Sequence, residues 1–116
     1  MASTSPLVSV IVPVKNEEDA IDIFIARVGG VLDALNEPDG WEILFVDDGS
    51  TDATLAKMML ANRVDARVRG ISLSRNFGKE AALTAGLDHA RGQVVIPMDV
   101  DMQDPPEVVG PMLAKW

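Results

Sequence analysis

The chain has 116 residues, 47% of them apolar, and a formal net charge of −8. That is enough for one domain with a modest core, and too apolar for a disordered segment. The acidic balance argues against a nucleic-acid partner, which wants a basic face, and means that an anionic ligand needs a bound cation or a few local basic groups to reverse the field. With no cysteine there is neither a disulfide framework nor a thiolate metal site. No stretch nears the ~20 apolar residues of a membrane span, and the N-terminus lacks a signal-peptide pattern. As given, the chain is expected to be cytoplasmic.

Residues 1–6 read as a flexible lead-in and 7–116 as one domain. Leu7-Val8-Ser9-Val10-Ile11-Val12-Pro13-Val14 is β-branched and nearly continuous, the pattern of a strand buried on both faces of a parallel sheet. Pro13 has no N–H, so the ladder is expected to stop there. Asn16 with Glu17, Glu18 and Asp19 reads as a helix start, an amide cap followed by acids at the positive end of the dipole. The apolar stripe Ile21, Phe24, Ile25, Val28, Val31, Leu32 and Leu35 then predicts an amphipathic helix, bent or split at Gly29-Gly30. After a turn at 36–40, Trp41 to Val46 is a second strand ending in Asp47-Asp48-Gly49-Ser50-Thr51-Asp52. Ser50 or Thr51 is expected to cap the next helix.

Arg67 to Leu73 is a weaker third strand, with Ile71 and Leu73 as its inward set and partial support from Val68. The loop Ser74-Arg75-Asn76-Phe77-Gly78-Lys79 leads into an alanine-rich helix over 80–91 whose small residues suit close packing on a sheet, with Gly92 closing it as a C′ residue. Val94 to Met98 is a fourth strand, and a last helix begins at Pro105 with Asp104 as its cap. The order βαβαβαβα predicts parallel strands with right-handed crossovers and helices on both faces. This is an α/β three-layer sandwich around a mostly parallel sheet.

The polar clusters all fall at the carboxyl ends of strands, where open parallel sheets bind ligands. They are Asn16 and Glu17, Asp47 and Asp48, Arg75 and Lys79, and Asp99 and Asp101. Alternation along an extended chain turns Asp99, Asp101 and Gln103 one way and Val100 and Met102 the other. Three oxygen-bearing side chains at a strand mouth suit a hard cation, Mg2+ or Mn2+, able to neutralise a diphosphate. Arg75 and Lys79 either add positive charge on the facing wall or are solvated loop charges. Asp47 and Asp48 either accept hydrogen bonds from a nucleoside or order the following turn, and Asn16 and Glu17 already have a use at a helix start. Neither G-x-G-x-x-G after the first strand nor G-x-x-x-x-G-K-[ST] is present, which argues against a dinucleotide dehydrogenase or a P-loop enzyme. His89 and the scattered methionines read as structural.

Val10-Ile11-Val12-Pro13-Val14-Lys15-Asn16-Glu17-Glu18, Val46-Asp47-Asp48-Gly49-Ser50-Thr51-Asp52 and Asp99-Val100-Asp101-Met102-Gln103-Asp104-Pro105-Pro106-Glu107 resemble the family 2 glycosyltransferases of GT-A fold, whose D-x-D element would be Asp99-Val100-Asp101. With Ser74 to Leu83 included, the chain looks most like the polyprenyl-phosphate branch, dolichyl-phosphate mannosyltransferases and bactoprenol glucosyltransferases, leaning to the latter. The resemblance implies the nucleotide-binding half of that fold and transfer of a sugar from a nucleotide-sugar, UDP-linked before GDP-linked, to a polyprenyl phosphate. It implies Pro13, Val14, Asn16, Glu17 and Asp48 at the nucleoside, and Asp99, Asp101 and Gln103 at the metal and diphosphate. Such relatives continue into an acceptor-binding half and, in the bactoprenol branch, membrane helices at the cytoplasmic face, so this chain is expected to bind donor weakly and to be inactive alone. Two rivals remain. A receiver domain carries its acidic pair at the end of the first strand, whereas here Pro13-Val14-Lys15-Asn16 stands there; a nucleotidyltransferase wants a glycine- and arginine-rich loop after that strand. Oligomeric state stays open, with a homo-oligomer formed through an unpaired sheet edge as one outcome.

Overall fold

The computed structural model describes residues 8–35, 40–73 and 77–101. β1 (Val8–Val14), α1 (Ile21–Leu35), β2 (Trp41–Asp47), α2 (Thr54–Val64), β3 (Val68–Ser72), α3 (Lys79–His89) and β4 (Val94–Pro97) follow one another. The four strands form one parallel sheet in the order β3-β2-β1-β4. The anticipated last helix, with Asp104 and Pro105, lies outside the described residues.

Alternation along β1 and β2 divides the core in two. Val8, Val10, Val12 and Val14 join Trp41, Ile43 and Phe45 beneath Ile21, Phe24, Val28 and Leu32 of α1 and Met58 of α2. Ile11 and Val46 face the other way, against Ala82 of α3. Helices therefore cover both faces, α1 and α2 on one and α3 on the other. Phe24 and Phe45 meet edge to face at 5.7 Å, the arrangement that ring quadrupoles favour. In β3, Val68 packs on the α1 face while Ile71 and Leu73 pack on the α3 face. The expected single inward set is thus corrected by simple parity.

Other local readings change too. β1 runs through Pro13 to Val14, and the Val14 carbonyl accepts the Asp48 N–H. Pro13 is tolerated because alternation aims its nitrogen toward β4, whose ladder has already ended with Met98 N–H on the Ile11 carbonyl. α1 runs unbroken across Gly29-Gly30. Gly29 is buried there, and a Cβ on it would stand 3.6 Å from the Trp41 indole. Packing on that ring offsets the weak propensity of the pair.

The amino-terminal end of the sheet is held by a network the apolar strand patterns concealed. Glu42, 3% exposed, accepts from the Ser9 hydroxyl (2.6 Å), the Arg91 amide (2.8 Å) and the Arg69 guanidinium (2.7 Å). Ser9 Oγ in turn accepts the Gly92 N–H at 2.8 Å. Gly92 is not the left-handed C′ residue expected of it: α3 ends at His89 with Ala90 extended. Glycine is needed there because a Cβ would stand 2.7 Å from the Ser9 nitrogen. Desolvation pushes the Glu42 carboxyl up, but the bonds from Ser9, the Arg91 amide and Arg69 outweigh it and hold the group below its ordinary value.

Two outcomes follow. Because the folded Glu42 titrates lower than the unfolded, its contribution is complete above the ordinary carboxylate range and lost as pH falls through the lowered value. Urea unfolding from about pH 6 to pH 3 should show a shallower acid loss for Glu42→Gln, with a cost of about 2 kcal/mol at neutral pH from mismatched donors. A Cβ on Gly86 would meet Ile11 Cγ2 at 2.4 Å, whereas among the described residues nothing approaches one on Gly30. Gly86→Ala should therefore lower unfolding free energy by about 1–2 kcal/mol and Gly30→Ala raise it by about 0.5–1 kcal/mol.

Candidate active site

The chain passes from β1 outward through β2 to β3, then returns to lay β4 on the other side of β1. Between the carboxyl ends of β1 and β4 lies the crevice that such a reversal creates in an open parallel sheet. A cleft of about 480 Å3 occupies it, with Pro13, Val14 and Lys15 at the end of β1, Asp48 after β2, Lys79 at the start of α3, and Asp99 and Asp101 after β4. Glu17, Gly78 and Val100 complete the lining. A second cleft of about 510 Å3 shares Glu17, Val100 and Asp101 with the first and adds Asn16, Asp19 and Asp52.

Beyond β4 the expected alternation holds: Val100 is 5% exposed and packs in the core, while Asp99 and Asp101 on either side of it line the cleft. Gln103 and Arg75 lie outside the described residues. Asp99 is paired with Lys79, whose Nζ lies 2.5 Å from Oδ1. Among the described residues no three His, Cys, Asp or Glu side chains cluster as a complete metal cage. The two carboxylates still fit Mg2+ or Mn2+, which are commonly held by one or two carboxylates together with substrate phosphates and water.

Asp48 and Asp47 separate clearly. Asp48 is 6% exposed and accepts the N–H of Phe77 at 2.7 Å and of Gly78 at 2.9 Å, one on each carboxylate oxygen. It therefore clasps the loop that opens α3. Gly78 sits at φ 99°, a conformation that side chains with a Cβ rarely adopt. Asp47, 2% exposed, lines neither cleft; its Oδ1 accepts the Ser50 N–H at 3.3 Å, so it orders the turn after β2.

Asn16 does not cap α1, which starts at Ile21 after a turn containing Glu18 and Asp19. It adopts φ 54°, a left-handed conformation asparagine tolerates. Its Oδ1 accepts from the Thr51 N–H (2.8 Å), the Thr51 hydroxyl (3.3 Å) and the Asp52 N–H (3.3 Å). The lacing is reciprocal: Ser50 Oγ accepts the Asn16 N–H and Thr54 Oγ1 the Glu17 N–H, both at 2.8 Å. Ser50 and Thr51 are thus used by the neighbouring loop rather than as caps. α2 begins behind Ala53, and Asp52 Oδ1 takes the Thr54 N–H at 2.9 Å. The Thr54 hydroxyl, ahead of the Thr54 and Glu18 amides, draws the Asp52 carboxyl below its ordinary value despite desolvation.

Lys15 and Asp52 stand in the sequence motifs without a role of their own and Thr54 stands outside them; the sequence signal for all three is their place beside strand ends marked by Asn16 and Asp48. The Asp48 clasp can be broken without changing volume. Asp48→Asn leaves one amide facing an NH2 group, so it should cost about 1–3 kcal/mol and speed hydrogen exchange at the Phe77 and Gly78 amides above all others.

Residues 9–116 match the family model described as "Glycosyl transferase family 2". The bactoprenol glucosyl transferase of Shigella phage SfV is 48% identical over 94% of this chain and 35% of that protein. Among solved structures, the mannosyltransferase PcManGT from Pyrobaculum calidifontis in complex with GDP-Man and Mn2+ superposes with TM-score 0.70 at 29% identity, over 84% of this chain and 28% of that one. TarS 1-349 of S. aureus in complex with UDP gives TM-score 0.66 at 26% identity, over 93% and 31%. The chain spans about a third of the length of each of these proteins. Receiver and nucleotidyltransferase readings give way to this match, and the chain, with its GT-A type sheet, belongs to glycosyltransferase family 2.

Proposed function

We propose that this chain binds the donor in an enzyme that moves a hexose, glucose before others, from a nucleoside-diphosphate sugar to a polyprenyl phosphate. UDP is the favoured nucleotide and GDP the alternative. One observation carries the reading: a cleft at the topological reversal of the sheet gathers Asp99 and Asp101 from the segment after β4, Lys79 from α3, and Pro13, Val14 and Glu17 from β1 and its loop. The bactoprenol glucosyl transferase relative supports the acceptor class and the sugar, and the UDP and GDP-Man complexes support the donor class.

Asp99 and Asp101 would hold Mg2+ or Mn2+, with Gln103 as a further oxygen ligand; when bound, the ion neutralises diphosphate oxygens and stabilises the leaving nucleoside diphosphate. Lys79 lines the same cleft and would add a point charge for a phosphate oxygen, as would Arg75, four residues before it in the sequence. Pro13, Val14, Asn16 and Glu17 form the nucleoside side. Asp48 serves there chiefly by keeping the start of α3 against the cleft, and Asp47 by shaping the turn beside it. Asp99 and Asp101 are thus the residues on which transfer depends. No general base is required, because a phosphate monoester acceptor with a second pKa of about 6 is already largely dianionic near neutral pH. Among the described residues no helix is long and apolar enough to cross a membrane. The lipid acceptor would place the reaction at the cytoplasmic face of the membrane. Alone, the chain would bind donor without transferring sugar.

Calorimetric titration of UDP and of GDP, with and without Mn2+, tests the site. UDP should bind more tightly with Mn2+, and Asp101→Ala should abolish that gain while leaving metal-free binding little changed. Equal affinity with and without Mn2+ would refute the assignment.

A further inference from the structure

The Lys79–Asp99 ion pair occupies a carboxylate that the proposed donor site reserves for a cation. It joins the first residue of α3 to the end of β4, and three features make it easy to open. A cation on the first turn of a helix is disfavoured by the dipole. The two side chains are 61% and 40% exposed, so solvent screens their attraction and the pair is weak. Lys79 and Asp99 also form the common wall between the 480 Å3 cleft and a smaller hollow of about 220 Å3 lined by Pro13, Leu83 and Pro97. A released lysine therefore has space to move on either side.

We propose that Lys79 is a placeholder cation, which neutralises Asp99 while the donor site is empty and is handed to the donor's diphosphate when a divalent cation takes Asp99. This rests on the reading that Asp99 and Asp101 are the carboxylates for that ion. The charge arithmetic of the cleft supplies the reason. Glu17, Asp48, Asp99 and Asp101 bring four carboxylates to one cleft together with, among the described residues, only two cations, Lys15 and Lys79, and like charges in a partly enclosed space repel unless a cation lies among them. Once a divalent ion is seated, Lys79 is repelled by it and attracted to phosphate oxygens beside it. Metal and lysine then compete for Asp99, whereas metal and nucleotide assist each other. The chain should bind metal poorly by itself and well together with nucleoside diphosphate, which keeps the site from being filled by metal alone.

The test titrates Mn2+ alone into this chain, following free Mn2+ by its electron paramagnetic resonance signal, and then repeats the titration with UDP. Lys79→Gln should tighten binding of Mn2+ alone about two- to fivefold, the range expected for loss of one exposed ion pair, and should weaken UDP binding in the presence of Mn2+. Lys15→Gln removes another cation of the same cleft and should change the affinity for Mn2+ alone by less than about 1.5-fold, as expected for a screened charge not seated on Asp99. In an Asp99→Asn background the gain from Lys79→Gln should vanish. Unchanged affinity for Mn2+ alone in Lys79→Gln, or an equal gain in Lys15→Gln, overturns the placeholder role while leaving the donor site standing if Mn2+ still strengthens UDP binding. If Mn2+ strengthens UDP binding in no form of the chain, both readings fall.

Discussion

The carboxylate of Asp48 grips two consecutive backbone amides, Phe77 and Gly78, with one oxygen each. Burying a carboxylate at the end of a central strand is costly unless its lone pairs are satisfied, and these amides satisfy them from a segment thirty residues away in sequence. The clasp has a directional consequence. α3 connects the β3 edge of the sheet to β4 at the other edge, and holding its first residues over β2 sets the line along which it crosses to β4. Lys79 then arrives at Asp99, and two segments with no sequence proximity share one cleft.

A second set of bonds ties the loop after β1 to the loop after β2. Asn16, Ser50, Asp52 and Thr54 exchange backbone and side-chain hydrogen bonds across that gap. Their polar groups are largely committed to this scaffold. Lys79, Asp99, Asp101 and Glu17 line the cleft that the scaffold shapes, and in the proposed donor site the charged work falls to them. Rigid support beneath a small number of charged side chains is what orientation of a flexible diphosphate requires.

The two ends of the sheet divide the work. At the amino end, Glu42, Ser9 and Arg69 hold the return of the chain into β4 through buried, charge-assisted hydrogen bonds. At the carboxyl end Asp48 is buried and satisfied, while Asp99 and Asp101 line an open cleft, where repulsion between carboxylates is unfavourable for folding and would favour a cation in the proposed site. Acid should weaken the first end through Glu42.

Much of this was legible in the residues themselves. The apolar runs at 7–14 and 41–46 and the stripe from Ile21 to Leu35 follow periodicities of two and 3.6, and with the polar groups at each strand end they point to a parallel α/β sheet. The alternation that buries Val100 between Asp99 and Asp101 was equally readable. Tertiary structure alone decided how the polar residues were used. Asn16 reads as a cap for its own helix and instead accepts hydrogen bonds from the loop after β2; Asp48 lines the cleft and also clasps the Phe77 and Gly78 amides; Glu42, which no sequence pattern marks, is a buried anchor. Local sequence states which groups can donate or accept a hydrogen bond, but long-range pairing chooses the partner, because that choice is made by whichever strand or loop the folded sheet brings within about 3 Å.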